Sequence, residues 1–126
     1  MTRTNKIYKF LFYFWLILIW IVSSIPDIGS PNDTLAGFDK YAHFGQYLIL
    51  AVLYLLMKYS QNSKVKVEQY FFISIILTFL EEGHQLWIRG RDFSLLDFAC
   101  NWAGVTTAFL IYAAIIYHRS RQKTKL

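Results

Sequence analysis

Asp39, His43 and Tyr47 recur at intervals of four residues, which places a carboxylate, an imidazole and a phenol on one face of a helix. Lys40 and Gln46 flank that face. Further along the chain Glu82 and Gln85 stand one turn apart, and Asp97 and Asn101 repeat the four-residue interval. Arg89 and Arg91 lie between these two groups. Such residue types suit acid–base chemistry. His43 and Glu82 can carry protons, and Asp39 or Asp97 can orient the histidine. Arg91 can hold a phosphate or carboxylate in the fork of its guanidinium. We take His43, Glu82 and Asp97 as candidate catalytic residues. Asp39, Lys40, Tyr47, Gln85, Arg91 and Asn101 are candidate substrate-binding residues.

A metal is the competing chemistry. His43, Glu81, Glu82, His84 and Asp97 offer nitrogen and oxygen ligands of the kind zinc, manganese or magnesium accept. No H-E-x-x-H run is present, however, and Glu81, Glu82 and His84 do not share a helical face. Directing Glu82 and Gln85 inward turns His84 away. No residue is therefore assigned as a metal ligand, and no cofactor follows from these residues. Cys100 is the sole cysteine, so an internal disulfide and a multi-cysteine zinc site are both excluded. Cys100, Gly104 and Ala108 instead form a small-residue stripe suited to close helix packing. Ser94, with Asp92 as a competitor, suits the N-cap of the helix that follows.

The elements that must position these residues are apolar runs. Of the 126 residues 56% are apolar, with eleven Phe, nine Tyr and four Trp. A chain this small cannot bury so much apolar surface within itself, which argues for lipid as the solvent. It also argues against intrinsic disorder and an ordinary soluble enzyme. Four runs stand out, at about 10–25, 41–59, 67–87 and 95–117. Each approaches the roughly 20 residues that a membrane helix needs. They lack the alternation of a barrel strand. The expected fold is all-α, a polytopic membrane protein with four transmembrane helices in one small bundle, occupying 1–126 as a single domain. The first run follows Arg3, Lys6 and Lys9 as in a signal peptide. Its aromatic content and the lack of a small-x-small cleavage site, with Ser23 and Ser24 the nearest approach, make it a retained helix.

Basic residues set the orientation. Ten of the thirteen Lys and Arg fall at the chain ends and in the connection around Lys58, Lys64 and Lys66. Lys40, Arg89 and Arg91 make up the opposite side, so both termini are expected in the cytoplasm. The acids divide the other way, with Glu68 alone on the cytoplasmic side. The polar residues of the second, third and fourth helices then meet at one depth, near the outer boundary. Burying one ionisable group at a membrane centre costs about 2.5–3.5 kcal/mol on insertion scales, so these groups need one another. The basic tails suit anionic lipid headgroups. No nucleic-acid recognition fold accompanies them, and nucleic acid is not an expected partner.

The run Asp39-Lys40-Tyr41-Ala42-His43-Phe44-Gly45-Gln46-Tyr47 resembles the D-K-x-x-H-x-x-x-Y opening of the VanZ-like membrane proteins. Glu82-x-x-Gln85, then Arg91, then Asp97-x-x-x-Asn101-x-x-Gly104 is similar to that family's second block. Glu81 and His84 lie beside the pattern. The resemblance implies a small integral membrane protein of the cell envelope, of a type linked to resistance to the glycopeptide teicoplanin. It implies no particular reaction. The expected partners are membrane lipid and an anionic, lipid-linked substrate such as a phospholipid or polyprenyl-linked wall intermediate. A homodimer through the fourth helix is compatible with the small-residue stripe. The alternative is a non-catalytic binding or stress-protection protein whose polar cluster is only structural.

Overall fold

The computed structural model describes the backbone of residues 3–26 and 33–123, and the side chains of 3–26 and 38–122. Four helices follow one another: α1 (Arg3–Ser23), α2 (Asp33–Ser60), α3 (Val67–Gln85) and α4 (Leu95–Lys123). Among the described residues there is no strand. Asp27 and Lys125, counted above in the charge distribution, lie outside the described residues.

The helices outrun the apolar runs that predict them. Apolar patterning marks only the part of a helix that avoids water, whereas the backbone continues helical into polar flanks. Thus α1 starts at Arg3 and includes Lys6 and Lys9, α2 starts at Asp33, and α4 runs on to Lys123. Conversely α1 stops at Ser23, short of 25, because the residues before Pro26 are pushed away from helical dihedrals. The third helix ends at Gln85, and Leu86–Ile88 close into turns through backbone bonds to Gly83, His84 and Gln85.

Successive helices run antiparallel. The end of the bundle made by the last turns of α1 and α3 and the first turns of α2 and α4 carries the polar residues. At the opposite end an aromatic lattice joins the helices: Tyr54 meets Phe12 and Tyr70, each at 5.8 Å, and Tyr70 meets Phe109 at 5.3 Å. The Tyr70 hydroxyl donates to the carbonyl of Val105 at 2.8 Å, which ties α3 to α4. Ile19, Leu50, Leu55 and Val105 fill the space around these rings.

The closest pair is α2 and α4. Gly104 allows it: a Cβ there would fall onto the Phe44 carbonyl oxygen and within 2.8 Å of the Leu48 nitrogen. Ala108, one turn on, is buried in the same seam, while Cys100 is only partly covered. Two members of the small-residue stripe are therefore used within the chain, in the α2 contact.

The surface is apolar where a soluble protein would be charged. Phe10, Phe14, Ile17 and Ile21 on α1 and Leu110 and Ile111 on α4 are all more than half exposed. By length and composition α1 and α4 are each suited to crossing a membrane. Polar residues, meanwhile, lie inside.

Replacing Gly104 with Ala forces α2 and α4 apart, because the obstruction is backbone. We expect a loss of about 1–3 kcal/mol, the usual range for overpacking, read as a lowered thermal midpoint by circular dichroism in detergent. Gly45→Ala, where the added methyl meets nothing within 4 Å, is expected to leave the midpoint unchanged.

Candidate functional site

The first turns of α4 begin the site. Ser94 caps the helix, its Oγ accepting from the Asp97 amide at 3.2 Å, so it fills the expected N-cap role. Its own amide donates to Glu82 Oε2 at 3.4 Å, which fixes the start of α4 against the end of α3. Asp97 and Asn101 then face inward, and both are buried.

Asn101 is the central member. Its Nδ2 donates to Glu81 Oε2 at 3.1 Å and reaches Glu82 Oε1 at 3.5 Å. Its Oδ1 is left as an acceptor and meets His43 Nδ1 at 3.1 Å. Glu81 is held from the other side by Ser23 Oγ at 2.7 Å and Gln85 Nε2 at 3.1 Å. Gln85 also donates to Ser23 Oγ at 3.1 Å, so α1 is locked into the same network. Thr78, Glu81, Glu82, Gln85 and Asn101 are each at most 1% exposed. Glu81, Glu82, Gln85 and Asn101 share hydrogen bonds, and Thr78 donates to the Ser74 carbonyl, as buried polar groups must.

Towards the open end the network loosens. His43 Nε2 lies 3.8 Å from Asp39 Oδ1 and 3.8 Å from Asp97 Oδ2, too far for hydrogen bonds. Lys40 Nζ contacts Asp97 Oδ1 directly and stands 3.6 Å from Asp39 Oδ2. Lys40 precedes the apolar run 41–59. Burial opposes its charge, but hydrogen bonding and attraction to Asp97, then to Asp39, prevail and raise its pKa above the ordinary lysine value. Arg91 follows Gly90, whose φ of 78° gives the turn its left-handed step. The Arg91 side chain covers Asp39 with Nη1 at 3.9 Å from Oδ1.

The structure brings eight of the nine candidate residues, Asp39, Lys40, His43, Glu82, Gln85, Arg91, Asp97 and Asn101, into one linked cluster. They divide by depth. Lys40, Asp39 and Arg91 form a partly exposed rim, and Glu82 and Gln85 lie beneath it. Tyr47, the ninth, is buried one turn below His43, where it faces Thr78 and Glu81 and joins the apolar core. His84 turns away and packs on Trp20 at 4.9 Å. Trp102 stacks on Phe71, and Trp87 is largely exposed.

Glu81 and Ser23 are the residues that motif reasoning passes over. Glu81 sits outside the VanZ-like pattern, yet it bonds to three partners on three helices. Its signal was the interval of four to Gln85. Ser23 resembles part of a cleavage region in sequence and serves in the structure as the α1 contribution to the site.

Comparison with known proteins gives no match to a family model, a curated protein or a solved structure. The VanZ-like resemblance therefore rests on the motif residues alone.

Removing Asn101 takes one donor from two carboxylates at once, leaving Glu81 to Ser23 and Gln85 and Glu82 to the Ser94 amide. Asn101→Ala is expected to cost about 1–3 kcal/mol, as for a hydrogen bond lost from buried charged groups. Thr107→Ala, on the exposed side of α4, should cost less than a tenth of the wild-type stability. Unfolding in detergent, followed by circular dichroism, measures both.

Proposed function

We propose that the chain is a four-span membrane protein of the cell envelope whose rim and His43 act on the head group of an anionic, lipid-linked molecule. The carrying observation is the guanidinium at the mouth of the site. Arg91 contacts Asp39 at 3.9 Å, its Nε has no acceptor among the described residues, and its side chain is 22% exposed. A fork of donors so little used suits a phosphate or carboxylate arriving from outside. His43 lies directly behind it, buried and oriented by Asn101, in position to exchange a proton with a bound head group. The lipid tail would lie along the apolar exterior.

Several features support placing all four helices in a membrane. The exterior of α2 and α3 is apolar as well, with Ile49, Val52, Phe72, Ile76 and Phe79 exposed, while Asp39, Lys40, Glu81 and Glu82 gather at one end. At the other end stand Lys58, Lys64 and Lys66 of the α2–α3 connection together with Arg119 of α4. That asymmetry supports a cytoplasmic location for both termini and an outer-face location for the site.

A structural reading has its own support, because Lys40 and the buried acids already neutralise or satisfy one another. There the cluster only sets helix register.

Two measurements test the proposal. Reporter fusions after residue 62 and at the C-terminus should both report cytoplasm, and one after residue 32 should report the exterior. An external C-terminus overturns the assigned side. Separately, native mass spectrometry of protein from mild detergent should show a retained anionic lipid. Arg91→Ala should reduce that retention about tenfold, corresponding to roughly 1.4 kcal/mol, with Lys64→Ala unchanged. Equal retention in Arg91→Ala with a lowered melting point favours the structural reading. A chemically altered lipid that disappears in His43→Ala establishes turnover.

A further inference from the structure

Hydrogen bonding within the cluster determines which nitrogen of His43 carries its proton. Asn101 gives Nδ2 to Glu81 and Glu82, so its Oδ1 is an acceptor and His43 Nδ1 must donate to it. In the neutral ring Nε2 then holds a lone pair. His43 is 4% exposed, and among the described residues no hydrogen bond is donated to Nε2. It points instead at Asp39 Oδ1 and Asp97 Oδ2, each 3.8 Å away. Three lone-pair atoms directed at one another repel unless a cation lies among them.

We propose that Asp39, His43 and Asp97 form a divalent-cation site, with His43 Nε2, Asp39 Oδ1 and Asp97 Oδ2 as ligands and zinc or manganese as the ion class. A ligand atom from each of the three residues lies within 4.8 Å of the other two. Bonds of about 2.0–2.2 Å to zinc fit between atoms 3.8 Å apart with a slight inward closing of the carboxylates. One imidazole and two carboxylates suit zinc or manganese. Three protein ligands leave a coordination position open, the arrangement of a reactive rather than a purely structural ion.

The surroundings match. Asn101 fixes the ring through the nitrogen that does not bind the ion, the usual role of an outer-shell partner. Lys40 holds the opposite oxygens, Asp97 Oδ1 and Asp39 Oδ2, and so leaves the inner pair facing the histidine. Charge points the same way, since Asp39, Glu81, Glu82 and Asp97 face only Lys40 and Arg91 as permanent cations in the cluster. A second grouping, His43 with Glu81 and Glu82, is less suited. Its nitrogen is bonded to Asn101, and its carboxylates already accept from Ser23, Gln85, Asn101 and Ser94.

In its purpose the inference rests on the head-group reading. An ion here would supply the positive charge that an acid-rich site needs in order to receive an anion. Its geometry stands independently of that reading.

The test uses the full chain in mild detergent, stripped with chelator, reloaded with zinc or manganese and desalted. Metal is read by mass spectrometry of the elements and folding by circular dichroism. The wild type should retain about one zinc or manganese per chain. His43→Gln and Asp97→Asn should each retain at least about fivefold less, whereas His84→Gln and His118→Gln should match the wild type. Should the two buried variants fail to fold, Asp39→Asn at the partly exposed rim decides, with the same loss expected. Wild type that retains no more metal than Asp39→Asn overturns the inference, and a proton on Nε2 then satisfies the site. Lipid retention that depends on Arg91 in a metal-free wild type leaves the head-group reading standing without the ion. Metal retention alongside indifference to Arg91→Ala leaves the ion and removes the head group.

Discussion

Everything at the polar end of this bundle depends on the amide of Asn101. It is the one side chain that gives hydrogen to carboxylates on α3 and takes hydrogen from the imidazole on α2. An amide is suited to this because its two ends have opposite hydrogen-bonding roles and neither carries charge. Reversing it would set its oxygen against Glu81 and its nitrogen against His43. Donation thus converges on Glu81, from Ser23 on one side and from His43 through Asn101 on the other. In a low-dielectric interior that polarity is costly to violate.

Packing and polarity are coupled through the same helix. Gly104 lies one turn beyond Asn101 and brings α4 against the backbone of α2. Only at that separation can the short side chain of Asn101 reach His43. The close seam and the hydrogen bond are therefore one requirement met by two residues. At the far end the aromatic lattice serves a different purpose, since rings tolerate sliding whereas directional bonds do not. The polar end defines register and the aromatic end supplies contact area. An exterior of Phe, Ile and Leu around an interior of Glu, Gln and Asn reverses the usual arrangement. Lipid would pay for that reversal by removing the penalty on exposed apolar surface.

Helix number, the all-α class and the inward faces were legible because apolar runs and four-residue intervals encode them directly. Asp39 faces His43, and Asp97 and Asn101 are both buried, as their spacing predicts, whereas Gln85 bonds to Glu81 and not to Glu82. Helix ends were not legible, since the apolar pattern stops at the polar flanks while backbone hydrogen bonding does not. Depth within the site was also hidden. Tyr47 shares a face with His43, yet the same face passes from rim to core within one turn. Glu81 escaped because adjacent glutamates cannot both be assigned inward by periodicity alone. The polar partners on α1 and α4 make it favourable to bury both.

The acid-rich composition of the site opposes an anionic ligand by charge, and it decides what kind of recognition is feasible. Lys40 is committed to Asp97, so it contributes little to attraction at a distance. Arg91 rests loosely on Asp39 and can exchange that carboxylate for another acid at small cost. An incoming phosphate that took the guanidinium would leave Asp39 Oδ1 without its cation, beside a histidine lone pair and Asp97 Oδ2. On the proposed reading, ligand capture at the rim and occupancy of the space between Asp39, His43 and Asp97 would therefore be coupled, because both draw on the same Asp39 carboxylate oxygen.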